Sequence, residues 1–149
     1  MEIIIREMEE KDLDRIMEVE KGAFTTPWSR ESFLLEITEN KLAKYFVAEV
    51  NEVPVGYGGI WLILDEGHIT NIAVDREYRG LGIGEKILKV LIDYCKEHKI
   101  LAITLEVREN NQAARNLYKK HGFVGYGIRP NYYADEKQDA IVMWKNLNN

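Results

Sequence analysis

The apolar positions of this chain change period from segment to segment, and the changes predict its elements. Residues 2–7 read as a short strand. Over 10–22, Leu13, Ile16, Met17 and Val19 fall close to helical spacing. The acidic run Glu9, Glu10, Asp12, Asp14, Glu18 and Glu20 is read as the solvated face of that helix. Ser29 suits the N-cap of a second helix ending near Asn40. Residues 44–50 and 53–64 predict strands joined by a turn at Asn51-Glu52, and 68–74 the next strand. A long helix follows over 82–98, a strand over 100–107 and a helix over 111–121, with Gly122 as its C′ residue. The last strands are expected at 123–128 and 139–146. Residues 68–107 thus form strand, crossover helix, strand, and a right-handed crossover makes the two strands parallel.

Composition narrows the class. A chain of 149 residues, 46% hydrophobic and 30% charged, is expected to form one domain over 1–149 with a sizeable core. No apolar run approaches the roughly 18 residues of a membrane span. The first residues lack the basic and long apolar regions of a signal peptide. The one cysteine, Cys95, excludes an internal disulfide and fits a reducing cytoplasm. A net charge of −5 argues against a nucleic-acid surface. No His, Cys or carboxylate cluster has metal-ligand spacing.

The most informative stretch is the glycine-rich turn Arg79-Gly80-Leu81-Gly82-Ile83-Gly84-Glu85, which leaves a strand and opens directly into the long helix. Such a turn offers bare backbone N–H groups at the positive end of a helix, a ready site for phosphate. It is not a Walker loop, because no Gly-Lys-Ser/Thr follows, and its glycines miss the dinucleotide spacing by one residue. An ordinary tight turn would carry the same glycines.

The order of residues around the turn resolves this. Arg79-x-x-Gly82-x-Gly84 is followed by Leu105-Glu106-Val107-Arg108, Asn111, Leu117-Tyr118 and His121-Gly122-Phe123. This order resembles the GNAT acetyltransferases over essentially the whole chain. Pro27-Trp28-Ser29, His68 to Val74, Asn131-Tyr132-Tyr133 and Asp139-Ala140 look like the RimI branch, which acetylates protein N-termini. The resemblance implies an α/β (α+β) GNAT fold. That fold is a central mixed, mostly antiparallel sheet with flanking helices and a splayed parallel strand pair, with acetyl-CoA in the wedge. The implied acceptor is a protein α-amine, typically the N-terminal alanine of a small-subunit ribosomal protein. A broad nascent-chain enzyme, a GNAT acting on a small amine or lysine, and a non-catalytic acetyl-CoA module remain open. The chain is expected to act as a monomer or weak dimer, in the cytoplasm.

The resemblance also assigns roles. Acyl transfer needs a base for the ammonium, a donor for the oxyanion and protonation of the leaving thiolate. Glu106 is the expected general base, acting through water; a Glu paired with Arg108 or Arg115 is the plain alternative. Tyr118 is the expected acid, a phenol of pKa about 10; the alternative is a core tyrosine. Asn111, two turns earlier, would touch the cofactor arm. Ile72, Ala73 and Val74 would offer backbone groups to the pantetheine, and residues 79–85 would hold the pyrophosphate, with Arg79 pointing to it or to solvent. Phe24, Pro27, Trp28, His68, Asn131, Tyr132 and Tyr133 are the expected acceptor-side residues. Trp28 has the alternative of a staple under the second helix, and His68 that of a bystander. Cys95 falls on the apolar face of its helix, so it is not expected to carry the acetyl group.

Overall fold

The computed structural model describes residues 1–23, 28–133 and 138–147, with side chains described at 1–22, 28–128 and 139–147. Strand β1 (Ile4–Glu7) leads through a 3-10 turn into α1 (Leu13–Ala23), and α2 (Arg30–Thr38) follows. Strands β2 (Ala43–Val50), β3 (Val53–Ile63) and β4 (Glu66–Val74) form a meander. Helix α3 (Ile83–Glu97) crosses over to β5 (Ala102–Arg108), then come α4 (Gln112–Lys120), β6 (Val124–Tyr133) and β7 (Gln138–Asn146). The sheet order is β1-β2-β3-β4-β5-β7-β6, antiparallel throughout except for β4 beside β5.

Two cores sit on opposite faces of this sheet, and period-two alternation sorts residues between them. Ile83, Ile87, Leu88, Leu91, Ile92 and Cys95 of α3 pack on Ala48, Val50, Ile69, Ile103, Leu105 and Val107. On the other face Leu13, Ile16 and Val19 of α1 and Phe33 of α2 pack on Tyr45, Val47, Tyr57 and Ala73. A Cβ at Gly59 would stand 2.1 Å from Tyr45, so this strand glycine is needed for close packing.

The structure corrects several boundaries. The strand expected over 100–107 begins at Ala102, and Leu101 before it is 48% exposed. Asn131-Tyr132-Tyr133 falls between the strands expected at 123–128 and 139–146, but the backbone there continues β6. The acidic face of the first helix is not uniformly solvated: Asp12 is 3% and Glu20 1% exposed. Asp12 turns inward because Arg6 donates to both its oxygens, at 2.9 and 2.7 Å. Glu20 stands seven residues from Leu13 and four from Ile16, on their buried stripe.

Candidate active site

Strands β4 and β5 pair at only three positions, Glu66–Ala102, Gly67–Ile103 and His68–Thr104. Beyond these, β4 pairs with β3 and β5 with β7. The strands therefore open into a notch, with residues 69–74 on one lip and 105–108 on the other. A bulge accompanies the opening. Gly59 faces Asn71 and Ile60 faces Ile69, so Thr70 is an extra residue in β4. Bulges bend the strand that carries them. This one also turns Thr70 and Asn71 to the same face, where they meet Tyr45 and Tyr57 of the α1–α2 core.

At the mouth of the notch stand His68 and Glu106. Alternation buries Ile103, Leu105 and Val107 against α3 and turns Thr104 and Glu106 to the opposite face. The Glu106 side chain is only 9% exposed, and its Oε2 lies 2.7 Å from His68 Nε2. The Trp61 ring stands edge-on to His68, with centroids 6.2 Å apart. Arg115, one expected alternative partner of Glu106, donates from Nη1 to the Glu109 carbonyl.

The β4 lip ends at the glycine-rich turn. Asp75 accepts from the Glu77 N–H and pairs with Arg15 of α1, which tethers the turn to the helix layer. That Arg15 bond holds the Asp75 carboxyl below its ordinary range. Arg79 lies back along the strand, its Nε donating to the Val74 carbonyl at 3.2 Å. Gly80 and Gly82 both have φ +79°, and a Cβ on either would meet nothing within 4 Å. Gly82 is the N-cap of α3 and has no side chain with which to cap it. The first N–H groups of a 15-residue helix thus have no N-cap side chain to satisfy them at its positive end. The Ile83 side chain is buried and anchors that end, whereas Leu81 is exposed. Glu85 does not point at the N–H groups. Its Oε2 meets Lys120 Nζ at 2.8 Å and His121 Nε2 at 2.7 Å, which drive its pKa down to about 2. The carboxylate that could have repelled an anion is thereby tied to α4. The side chains of Ile72 and Val74 lean on the α3 core and that of Ala73 on the other core, so only their backbone groups remain for the notch. An extended, amide-bearing arm ending in a pyrophosphate fits these two features.

Asn111 is not within the helix that follows β5 but caps it, its Oδ1 accepting from the Ala114 N–H at 3.1 Å. The cap occupies that oxygen and leaves the amide NH2 to donate. Tyr118 is half-buried and packs edge-on against Phe123, at 5.7 Å between centroids. Gly122 follows α4 with φ +90°, as a C′ residue should.

On the acceptor side, Phe24 and Pro27 lie outside the described residues, and so do the side chains of Asn131, Tyr132 and Tyr133. Trp28 is described. Ser29 caps α2 by accepting from the Ser32 N–H, which makes Trp28 the N′ residue and Phe33 the N4 residue. Their rings stand 5.1 Å apart, so Trp28 forms the hydrophobic staple of α2 and keeps one half-buried face outward. Sequence reading missed the polar chain beneath it, which runs from Glu20 through Tyr57 and Asn71 to Thr70. The available signal was the place of Glu20 on an apolar stripe.

Cys95 is fully buried, and burial alone pushes its thiol up to about 12. Among the described residues, no group of three or more His, Cys, Asp or Glu could hold a metal ion, and no helix is long and apolar enough to cross a membrane.

A notch beside a helix-capped glycine loop, with a carboxylate at its mouth, defines an acyl-CoA-dependent transferase, and comparison with known proteins agrees. The model of the Acetyltransferase (GNAT) family matches residues 13–123. A putative ribosomal protein bS18-alanine N-acetyltransferase of Bacillus subtilis is 43% identical over 97% of this chain and 95% of its own length. The crystal structure of the ribosomal-protein-S18-alanine N-acetyltransferase from Escherichia coli superposes with TM-score 0.89 at 33% identity, covering 97% of this chain and 94% of that one. Ard1 from Thermoplasma volcanium superposes equally well, TM-score 0.89 at 29% identity, over 99% of both chains. The chain belongs to the GNAT acetyltransferase family and is an acetyl-CoA-dependent N-acetyltransferase.

Proposed function

We propose that this enzyme acetylates the α-amine of a protein N-terminus, with the N-terminal alanine of a small-subunit ribosomal protein as its acceptor. The observation that carries the catalytic assignment is the hydrogen bond between Glu106 and His68 where β4 and β5 part. The acceptor assignment rests on relatives, named for acetylating bS18 alanine, that align over nearly the whole chain.

The chain's own residues divide the work. Backbone groups of Ile72, Ala73 and Val74 bind the amide-bearing arm as a strand would be bound. The N–H groups at 80–85 take the pyrophosphate, with Asn111 donating to the arm from the other lip. Glu106 accepts a proton, by way of water, from the incoming ammonium. His68 donates from Nε2 to the ionised carboxylate and fixes its direction. The free amine attacks the thioester carbonyl; the C–N bond forms and the C–S bond breaks. Tyr118 hands its hydroxyl proton to the departing sulfur. The nitrogen's second proton leaves as the amide forms and restores the phenol. The balance is one acetamide, one CoA thiol and one proton released to solvent. With Cys95 buried, the acetyl group passes directly between substrates and residues 1–149 act as one catalytic unit.

The test measures thiol release from acetyl-CoA with short peptides whose first residue is Ala, Ser, Met or Glu, each with a free or blocked α-amine. A blocked peptide with an internal lysine and spermidine complete the panel. Turnover confined to free α-amines and strongest for Ala is the expected result. Turnover with spermidine or the blocked lysine peptide would overturn the acceptor assignment, and equal rates for all first residues would replace it with a broad nascent-chain activity.

A further inference from the structure

A buried carboxylate that the chemistry above does not use lies 1% exposed on the inner face of α1. Among the described residues Glu20 has no basic partner; its Oε2 accepts from the backbone N–H of Trp28 at 2.9 Å and its Oε1 from the Tyr57 hydroxyl. Tyr57 in turn accepts from the Asn71 amide, whose oxygen accepts from the Thr70 hydroxyl at 2.9 Å. The proton directions are therefore fixed along the whole chain, Thr70 to Asn71 to Tyr57 to Glu20, with Trp28 donating from the far side. Burial pushes both Glu20 and Tyr57 upward. A buried carboxylate without a cation is costly, and Leu13, Ile16 and Val19 already supply that helix face with apolar contact.

The ends of the chain show what the cost secures. One end is the residue that staples the start of α2. The other is the bulge of β4, next to the backbone of Ile72 to Val74. We infer that Glu20 is a positioning residue for the acceptor: through Trp28 and Tyr57 it locks the acceptor-side rim onto the strand that lines the notch. The inference rests on the acceptor reading above and adds a residue to it. Glutamine at position 20 keeps the volume but turns one of the two acceptor oxygens into a donor. With its oxygen still accepting from the Trp28 N–H, its NH2 faces the Tyr57 hydroxyl, so the bond that Tyr57 donates to the carboxylate is lost and the Tyr57–Asn71–Thr70 order must reverse.

The experiment uses Glu20→Gln and Tyr57→Phe in the full chain, with two readouts. The first is acrylamide quenching of Trp28 fluorescence in a Trp61→Phe/Trp144→Phe background, which needs no turnover. The second is the KM for an Ala-initiated peptide against the KM for acetyl-CoA. The expected result is stronger quenching of Trp28 and a peptide KM raised about tenfold, with acetyl-CoA KM within about twofold. A residue that merely stabilises the fold would lower the melting temperature and active fraction but leave both KM values and the quenching unchanged; that result overturns the inference. Increased quenching with an unchanged peptide KM also overturns it, since Trp28 would then be anchored without serving the acceptor. If the unaltered enzyme turns over no peptide, the acceptor reading fails and takes this role with it, and the quenching shift identifies that case. Should Glu20→Gln not fold, Tyr57→Phe cuts the same chain at its next link.

Discussion

His68 and Glu106 lie 38 positions apart in sequence, on neighbouring parallel strands, yet their side chains meet at 2.7 Å. The contact exists because His68–Thr104 is the last rung of the parallel ladder. Glu106 is two residues further along β5, on the same face as Thr104, where the strands have begun to part. One histidine can therefore bridge the opening notch.

Glu106→Gln keeps the shape of the side chain and removes its basicity. It should lower kcat by about 10²–10⁴-fold, with acetyl-CoA KM nearly unchanged. His68→Ala removes only the restraint on the carboxylate and should cost about tenfold. Steady-state kinetics on both variants check this. A Glu106→Gln enzyme with intact kcat would move the base elsewhere, and His68→Ala matching Glu106→Gln would make the histidine part of the proton path.

Tyr118 packs edge-on against Phe123, so its ring has a structural use whatever its hydroxyl does. Tyr118→Phe preserves the ring contact and deletes the acid. The expected outcome is a kcat lower by about 10²-fold with acetyl-CoA affinity, measured by calorimetry, within about twofold. Equal losses in both would assign the tyrosine to packing.

Much of this was legible in the sequence, for identifiable reasons. The elements follow from periodicity, and the caps Ser29, Gly82 and Gly122 stand where local chemistry demands them. Glu106 was readable from its place in Leu105-Glu106-Val107-Arg108. The splay of β4 and β5 was readable from the family resemblance but not from periodicity, because a bulge at Thr70 is set by pairing with β3 and leaves no periodic trace. The inward turn of Asp12 was hidden for a similar reason: its partner, Arg6, lies outside the helix whose face it interrupts. Glu85 and His121 also meet only in three dimensions, 36 positions apart. The end of β6 was misplaced because Asn131-Tyr132-Tyr133 carries turn-like and aromatic residues together, whereas pairing with β7 extends the strand to Tyr133.

Gly82 combines φ +79° with open space around its missing Cβ. Gly82→Ala therefore meets no clash, and its cost is conformational, about 1–2 kcal/mol. Because Gly82 caps α3 at the expected pyrophosphate site, the same change should raise acetyl-CoA KM several-fold. Thermal unfolding and acetyl-CoA titration report the two effects separately. A variant with unchanged stability and affinity would show that the left-handed turn is not required.

The Arg6–Asp12 pair makes stability depend on acid. Burial opposes ionisation of Asp12, but the two Arg6 hydrogen bonds and the Glu9 N–H outweigh it, and the carboxyl sits below its ordinary 3.8. A depressed folded-state pKa means that the stabilisation is fully present above the unfolded value and is lost as pH falls from there through the folded one. Asp12→Asn should cost about 2–3 kcal/mol near neutral pH. The gap from the unaltered protein should then narrow as pH falls below the ordinary carboxyl value of 3.8. Urea unfolding near neutral pH and through that acid range tests this; a gap independent of pH would remove the ion pair as its source.

Cys95 decides between two kinetic schemes. A ping-pong route needs a thiolate that can take the acetyl group before the acceptor arrives. Cys95 is fully buried in the α3 core, its thiol is pushed up to about 12, and a Cβ on Gly67 would stand 2.8 Å from its sulfur. A thiol in that setting is neither ionised nor reachable. Cys95→Ala should lose about 1–2 kcal/mol of stability from the cavity it leaves, and its kcat per folded molecule should stay unchanged. Initial rates at varied acetyl-CoA and peptide concentrations should give intersecting double-reciprocal lines, the pattern of a ternary complex. Parallel lines together with an inactive but folded Cys95→Ala enzyme would instead require a conformation that brings this sulfur out of the core to the notch.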